Sequence, residues 1–166
     1  SLLTKAIDIF GMILCQYYGQ TESGPLICYL PAAVHKAAFG SAEDQKILES
    51  CGRPPLVVQV RIVVETSKDV PTGEIGEIIV RSKAIMKEYW HKPEETQKTI
   101  IDGWLYTRDL GYCDDSGYLY IADRQQDMII TGGEHVFPRE VEEVLYQHLL
   151  VSEAAALVRK GSEIGG

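Results

Sequence analysis

Tyr17-Tyr18-Gly19-Gln20-Thr21-Glu22-Ser23-Gly24 sets two aromatic rings, a glycine, a hydroxyl and a carboxylate close together. The run Met12-Ile13-Leu14-Cys15-Gln16 reads as a strand that leads straight into it. Each group in the stretch suits a nucleotide triphosphate. An aromatic face stacks on a purine, and a glycine lets backbone N–H groups turn toward phosphate. A carboxylate holds Mg²⁺, which takes one or two carboxylates and fills its shell with phosphate oxygens and water. A plainer reading stands beside this one: a hairpin or strand-to-loop turn with a buried tyrosine and a solvated Thr-Glu pair. Taken alone, so short a stretch of common turn residues favours the plainer reading, and only the rest of the chain can change that.

A length of 166 residues predicts one domain, or one domain and a piece of another, and 45% apolar residues can bury a core. No apolar run approaches the roughly 18 residues of a membrane span, and the first residues lack the basic-then-apolar order of a signal peptide. The expectation is a cytoplasmic protein with no transmembrane segment. A net charge of -8, with no stripe of Lys and Arg, argues against nucleic acid or an anionic membrane as the main partner. An anionic ligand must then be met by a few local groups and a metal. Cys15, Cys28, Cys51 and Cys113 show no CxxC spacing, and His35, His91, His135 and His148 form no HxxxH pair, so a structural zinc site is not expected.

In chain order, residues 1 to 11 read as the end of an apolar-faced helix stopped by Gly11, with nothing before Ser1 to cap it or cover its face, as in a larger fold entered midway. Residues 25 to 40 show no clear period and read as loop with short strands. Ser41 with Asp44 resembles the entry to a short helix ending near Ser50. Cys51-Gly52-Arg53-Pro54-Pro55 is a rigid turn, and residues 57 to 65 and 75 to 81 form a hairpin with a long loop around Pro71-Thr72-Gly73. Pro93 opens a short helix with acids in its first turn. Short strands at 104 to 107 and 118 to 122 flank the turn Asp114-Asp115-Ser116-Gly117. Residues 51 to 122 are thus mostly β, suited to a small barrel or curled sheet. Beyond them, 128 to 130 is a short strand, 131 to 134 a turn, Pro138 the start of an amphipathic helix with Val141, Val144, Leu145 and His148 on one face, and 151 to 158 a further strand.

Read together, five stretches resemble the adenylate-forming superfamily of acyl-CoA synthetases, aryl-CoA ligases, luciferases and peptide-synthetase adenylation domains. They are YYGQTESG at 17 to 24, GEIGEIIVRS with MKEYW at 73 to 90, DGWLYTRDLGY at 102 to 112, GYLYIADRQQDMI at 117 to 129, and TGGEHVFPREVEEVL at 131 to 145. The resemblance implies a mixed α+β and α/β fold. Residues 1–124 would be the C-terminal portion of the large AMP-binding domain, with a β-barrel-like part at 51–122, and 125–166 the start of the small C-terminal domain.

Residue by residue, the resemblance implies that Tyr18 stacks on adenine, that Thr21 meets the α-phosphate, and that Glu22 is the Mg²⁺ carboxylate, with Thr21 and Glu22 the catalytic pair. Asp109 would accept the ribose hydroxyls, since a carboxylate offers two oxygens and no competing donor. Arg124 would reach the same ribose, and Gly19 and Ile121 would line the ATP/AMP site. Gln126 falls at the interdomain hinge. Gly132, Gly133 and Glu134 match the turn that lines the CoA tunnel. Beside these stand plainer readings: Asp109 as a turn residue before Leu110-Gly111, the lesser reading because Trp104, Tyr106 and Thr107 occupy the family's places upstream, Arg124 as a surface ion pair with Asp123 or Asp127, and the glycine pair as a plain β-turn.

Three positions depart from the family pattern: Arg108 and Glu88 stand where glycine is usual, and Gln126 replaces a charged hinge residue. Arg108 either crowds the nucleotide or adds a positive charge to it. No phosphate loop ending in Lys occurs, and no lysine in a PKTxSGK-like setting follows; Lys160 lies too early. The expected function is a carboxylate-CoA ligase, using ATP, Mg²⁺ and CoA on a fatty or aryl acid, with this stretch inactive by itself and its oligomeric state open. Two alternatives stand: an adenylation domain or luciferase-like relative with another acceptor, and a non-catalytic nucleotide-binding or protein-contact module.

Overall fold

The computed structural model of the chain describes residues 2–11, 13–39, 41, 44–64, 67–125, 127–131, 134–148 and 150–157. The first helix, α1 (Leu2–Phe10), ends at Gly11, whose φ of +75° lets its N–H donate back to the Ile7 carbonyl at 2.8 Å. Ile7 is buried, whereas Ile9 and Phe10 are exposed, so only part of the apolar face is covered.

The opening motif is a β-hairpin. Strand β1 (Gln16–Gln20) pairs antiparallel with β2 (Gly24–Leu30) across a single 3₁₀ turn, Thr21–Ser23. The strand therefore begins at Gln16 rather than at 12, and Tyr17 to Gln20 lie in it rather than in a bend. The fully buried Ser23 hydroxyl closes the turn: it accepts the Gln20 N–H at 3.1 Å and lies within donor reach of the Gln20 and Gly24 carbonyls. Gly19 is obligatory for a local reason, since a Cβ there would stand 2.4 Å from the Pro25 carbonyl oxygen.

The region expected as loop at 25 to 40 is instead β2 followed by helix α2 (Ala32–Phe39). The sequence reads there only as loop with short strands because β2 buries Ile27, Cys28 and Leu30 while exposing Leu26 and Tyr29, so the apolar residues do not alternate. After it, the Ser41 hydroxyl accepts the Asp44 N–H at 3.3 Å ahead of a 3₁₀ turn, Gln45–Glu49.

The centre of the structure is a six-stranded antiparallel sheet. Its path runs β4 (Lys68–Asp69), β3 (Gln59–Val64), β5 (Gly76–Arg81), β7 (Trp104–Cys113), β6 (Ile100–Ile101), with β8 (Leu119–Arg124) also on β7. The expected hairpin is β3 with β5, and β4 folds back on β3 within the long loop. Helix α3 (Pro93–Thr99) precedes β6. β5 is central and buries Ile78, Ile79 and Val80 in succession, the pattern of a strand covered on both faces. β7 is one ten-residue strand rather than a short one ending at 107. The turn to β8 is as read: Asp114 Oδ1 accepts the N–H groups of Ser116 and Tyr118, both at 2.9 Å.

Residues 51 to 53 splice the hairpin to the sheet. Cys51 N–H donates to the Leu119 carbonyl and Leu119 N–H to Gly52, while Tyr29 and Arg53 exchange both backbone bonds. At Gly52, φ is +84° and a Cβ would sit 1.9 Å from the Tyr29 oxygen, so the splice requires glycine. One core results: Ile27 and Cys28 of the hairpin pack with Ile62, Ile78, Val80 and Leu119 of the sheet, with Tyr18 and Ile121 at its edge.

Beyond β8, β9 (Ile129–Thr131) pairs with β10 (Glu134–Val136), and Pro138 opens α4 (Pro138–Tyr146). Val141, Val144 and Leu145 stay 40% or more exposed, and His148 lies past the helix end, so this amphipathic face is uncovered. No strand forms at 151 to 157. Its backbone is taken up by α4 side chains, Ala156 N–H donating to Glu142 at 2.9 Å and Ala154 meeting the Tyr146 hydroxyl at 3.3 Å. Among the described residues no helix is long and apolar enough to cross a membrane.

Candidate functional site

A kink in β7 creates the site. Between the pairs Ile79↔Tyr106 and Glu77↔Leu110, the single residue Ile78 faces three residues of β7, 107 to 109. Such a bulge re-aims side chains that a regular ladder would point elsewhere. Thr107 anchors it, donating its hydroxyl to the Ile78 carbonyl at 2.7 Å and accepting the Asp109 N–H at 3.1 Å. Arg108 sits in the left-handed region at φ +62°, its N–H held by Glu77 Oε1 at 3.1 Å and its carbonyl by the Gln125 N–H at 2.9 Å. The glycine usual at this position now has a physical reason, because the backbone there turns through positive φ.

Asp109 is consequently no turn residue. Its carboxylate faces the hairpin, where Tyr18 donates its hydroxyl to Oδ2 at 2.6 Å across 91 positions of sequence. Gln20 reaches the same oxygen at 3.4 Å and the Thr107 carbonyl at 3.3 Å. On the other side Arg124, the cross-strand partner of Asp109 in β8, lies 3.7 Å from Oδ1, so it pairs there rather than with Asp123 or Asp127. The Arg124 side chain is 76% exposed, and such a pair adds little stability. Asp123 is buried and accepts the N–H groups of Arg124 at 2.7 Å and, at 3.4 Å, of Arg139 in the first turn of α4. A carboxylate at that end of a helix is favoured by the helix dipole.

Tyr18, Gly19, Glu22, Asp109, Ile121 and Arg124 line one open cavity of about 1280 Å³, closed on its far side by α4. Thr21 is exposed at the start of the hairpin turn and is not part of that lining. Gln126, Gly132 and Gly133 lie outside the described residues, as does the side chain of Glu134. Four contributors were not anticipated as site residues: Gln20, Thr107, Tyr89 and Arg139. Gln20 was legible in principle, since strand period two places it on the face of Tyr18.

Burial holds the Tyr18 hydroxyl far above the ordinary phenol range, and its bond to Asp109 adds to that, so Tyr18 stays a donor. At the other end of the cavity Tyr89 donates to Glu22 Oε1 at 2.9 Å, while Met86 N–H holds the Glu22 carbonyl at 2.8 Å. Burial raises the Tyr89 hydroxyl, the Glu22 bond raises it further, and the positive field of Arg108 opposes both. Burial likewise lifts the Glu77 carboxyl, which the N–H and charge of Arg108 draw back down. Among the described residues no group of three or more His, Cys, Asp or Glu converges on a metal position.

An aromatic ring, a bridging carboxylate, an arginine and a second carboxylate thus line one cavity. The AMP-binding enzyme family matches residues 1–90, more than half of the chain, and the chain belongs to that family. It is 45% identical to the medium/long-chain-fatty-acid–CoA ligase FadD8 of Mycobacterium tuberculosis over 93% of this chain and 26% of that protein. It is 41% identical to the 2-succinylbenzoate–CoA ligase of Bacillus cytotoxicus over 94% of this chain and 30% of that one. In structure it resembles the O-succinylbenzoate coenzyme A synthetase of Bacillus subtilis in complex with ATP and magnesium ion, with a TM-score of 0.77 and 34% identity over 93% of this chain and 30% of that one. The chain thus spans between a quarter and a third of the length of these relatives.

Proposed function

We propose that the protein is an ATP-dependent carboxylate–CoA ligase and that this chain supplies the adenosine-binding wall of its active site. The observation that carries the reading is the 2.6 Å bond from Tyr18 to Asp109, which joins the expected adenine stacker to the expected ribose acceptor. The kinship with CoA ligases supports the same reaction, and a fatty or aryl acid as substrate. Residues 1–124 belong in this reading to the large domain and 125–166 to the small one, a division consistent with β8 ending at Arg124. A cytoplasmic location is part of the same reading.

In the first half-reaction a carboxylate attacks the α-phosphate of ATP, itself anionic, forming an acyl-adenylate and expelling pyrophosphate, so the charge growing on that group must be spread. Tyr18 and Asp109 fix the adenosine, Asp109 through Oδ1, which keeps room for ribose hydroxyls because Oδ2 is the oxygen that takes Tyr18 and Gln20. Thr21 offers its hydroxyl from the hairpin turn to the α-phosphate. Glu22 fits Mg²⁺, having one oxygen steadied by Tyr89 and the other without a partner among the described residues, and the ion would supply charge neutralisation there. CoA thiol then displaces AMP, with Gly132, Gly133 and Glu134 along its path and Gln126 as the pivot between states.

The test is product identity. The full-length protein with ATP, Mg²⁺, CoA and a panel of fatty and aryl acids should release AMP and pyrophosphate in step with loss of free CoA thiol. Release of ADP and phosphate, or AMP formation that leaves CoA untouched, would contradict the assignment.

A further inference from the structure

Arg108 occupies a conformation that glycine adopts without strain, at φ +62°, and both bonds that hold it there use backbone atoms. Among the described residues its side chain makes no hydrogen bond or ion pair that holds it there. Strain of this kind persists where the surroundings over-determine it, and such residues gather at ligand sites.

The charge balance of the cavity gives the side chain a use. Six carboxylates and three arginines line it. Arg124 is 3.7 Å from Asp109, and Arg139 is paired with Glu143 at 3.0 Å. Among the described residues no carboxylate stands within ion-pair distance of the Arg108 guanidinium, although Glu77 takes its backbone N–H. An anionic ligand entering this acidic surround meets one arginine that is not already committed to a carboxylate. Arg108 is the immediate neighbour of Asp109 and lines the same cavity as Asp109 and Glu22, the expected ribose and metal carboxylates.

We propose that Arg108 is a binding residue for the phosphate joined to the nucleotide 5′ oxygen, a cation at a position where the family resemblance makes glycine usual. The proposal rests on the nucleotide reading above and specifies which part of the ligand Arg108 touches. A planar guanidinium suits phosphate oxygens, and hydrogen bonds between charged partners are the strong ones.

The test compares AMP with adenosine, which lacks the phosphate, by calorimetry on the full-length protein and its Arg108→Gly and Arg108→Lys variants. Arg108→Gly relieves the backbone and should melt no lower than wild type. It should bind adenosine as wild type does and AMP on the order of tenfold or more weakly, while Arg108→Lys, which keeps the charge, retains most of the AMP affinity. Unchanged AMP affinity in Arg108→Gly overturns the proposal. So does an equal loss for AMP and adenosine, which would assign Arg108 to the ribose site or the fold. A wild-type protein that binds neither ligand removes the nucleotide reading itself, and the role of Arg108 with it.

Discussion

Replacing Tyr18 by phenylalanine removes one oxygen and keeps the ring. The lost bond is the short one, 2.6 Å to Oδ2 of an Asp109 side chain only 14% exposed, so water replaces little of it. The donors that remain stand farther off, Gln20 at 3.4 Å and Arg124 at 3.7 Å. A hydrogen bond to a charged group contributes about 1.5–3 kcal/mol, and because Gln20 can close part of the gap the expected loss lies at the lower end, about 1.5–2 kcal/mol. Urea unfolding of the full-length protein should show it as a lower midpoint at unchanged slope. A cycle with Asp109→Asn should recover a coupling of about 1 kcal/mol or more between the two positions. A Tyr18→Phe loss below about 0.5 kcal/mol, the scatter of ordinary surface substitutions, or strict additivity in the cycle, would refute the bond as a structural tie.

Two further outcomes follow from the same site. Burial lifts the Glu77 carboxyl above its unfolded value of 4.5, so the folded protein holds that proton more tightly, and wild type loses stability as pH rises from there through the lifted value. Glu77→Gln keeps an oxygen for the Arg108 N–H but no charge; it should be more stable than wild type at pH 7, with the gain fading below pH 4.5, and denaturation at the two pH values checks this. Tyr89→Phe leaves the Glu22 carboxylate without its donor and should raise the Mg²⁺ concentration needed for half-maximal pyrophosphate release several-fold; an unchanged Mg²⁺ titration would limit Tyr89 to packing.

Local signals carried much of the fold. The stop at Gly11, the prolines opening α3 and α4, the β3–β5 hairpin and the Asp114 turn all rest on residues whose backbone preferences are strong and near in sequence. Helix α2 was missed, and β2 was expected only as short strands in a loop, because their burial depends on the sheet behind them, which gives no clean period. Asp109 shows the same limit in the site. Its neighbours leave the turn as the lesser reading but give no partner; the bulge opposite Ile78 and a tyrosine 91 positions away make it a cavity carboxylate. The family resemblance named Tyr18 and Asp109 as adenosine contacts but not the bond between them. It did not supply Gln20 or Tyr89, whose contacts cross 89 and 67 positions and depend on how the hairpin lies over the sheet.

The ribose site is tested most directly by comparing AMP with 2′,3′-dideoxy-AMP on the full-length protein and its Asp109→Ala variant. Wild type should prefer AMP by about 1.5–3 kcal/mol, the range for hydrogen bonds to a charged acceptor, and Asp109→Ala should bind both alike. A preference for AMP that survives the loss of Asp109 would contradict the account.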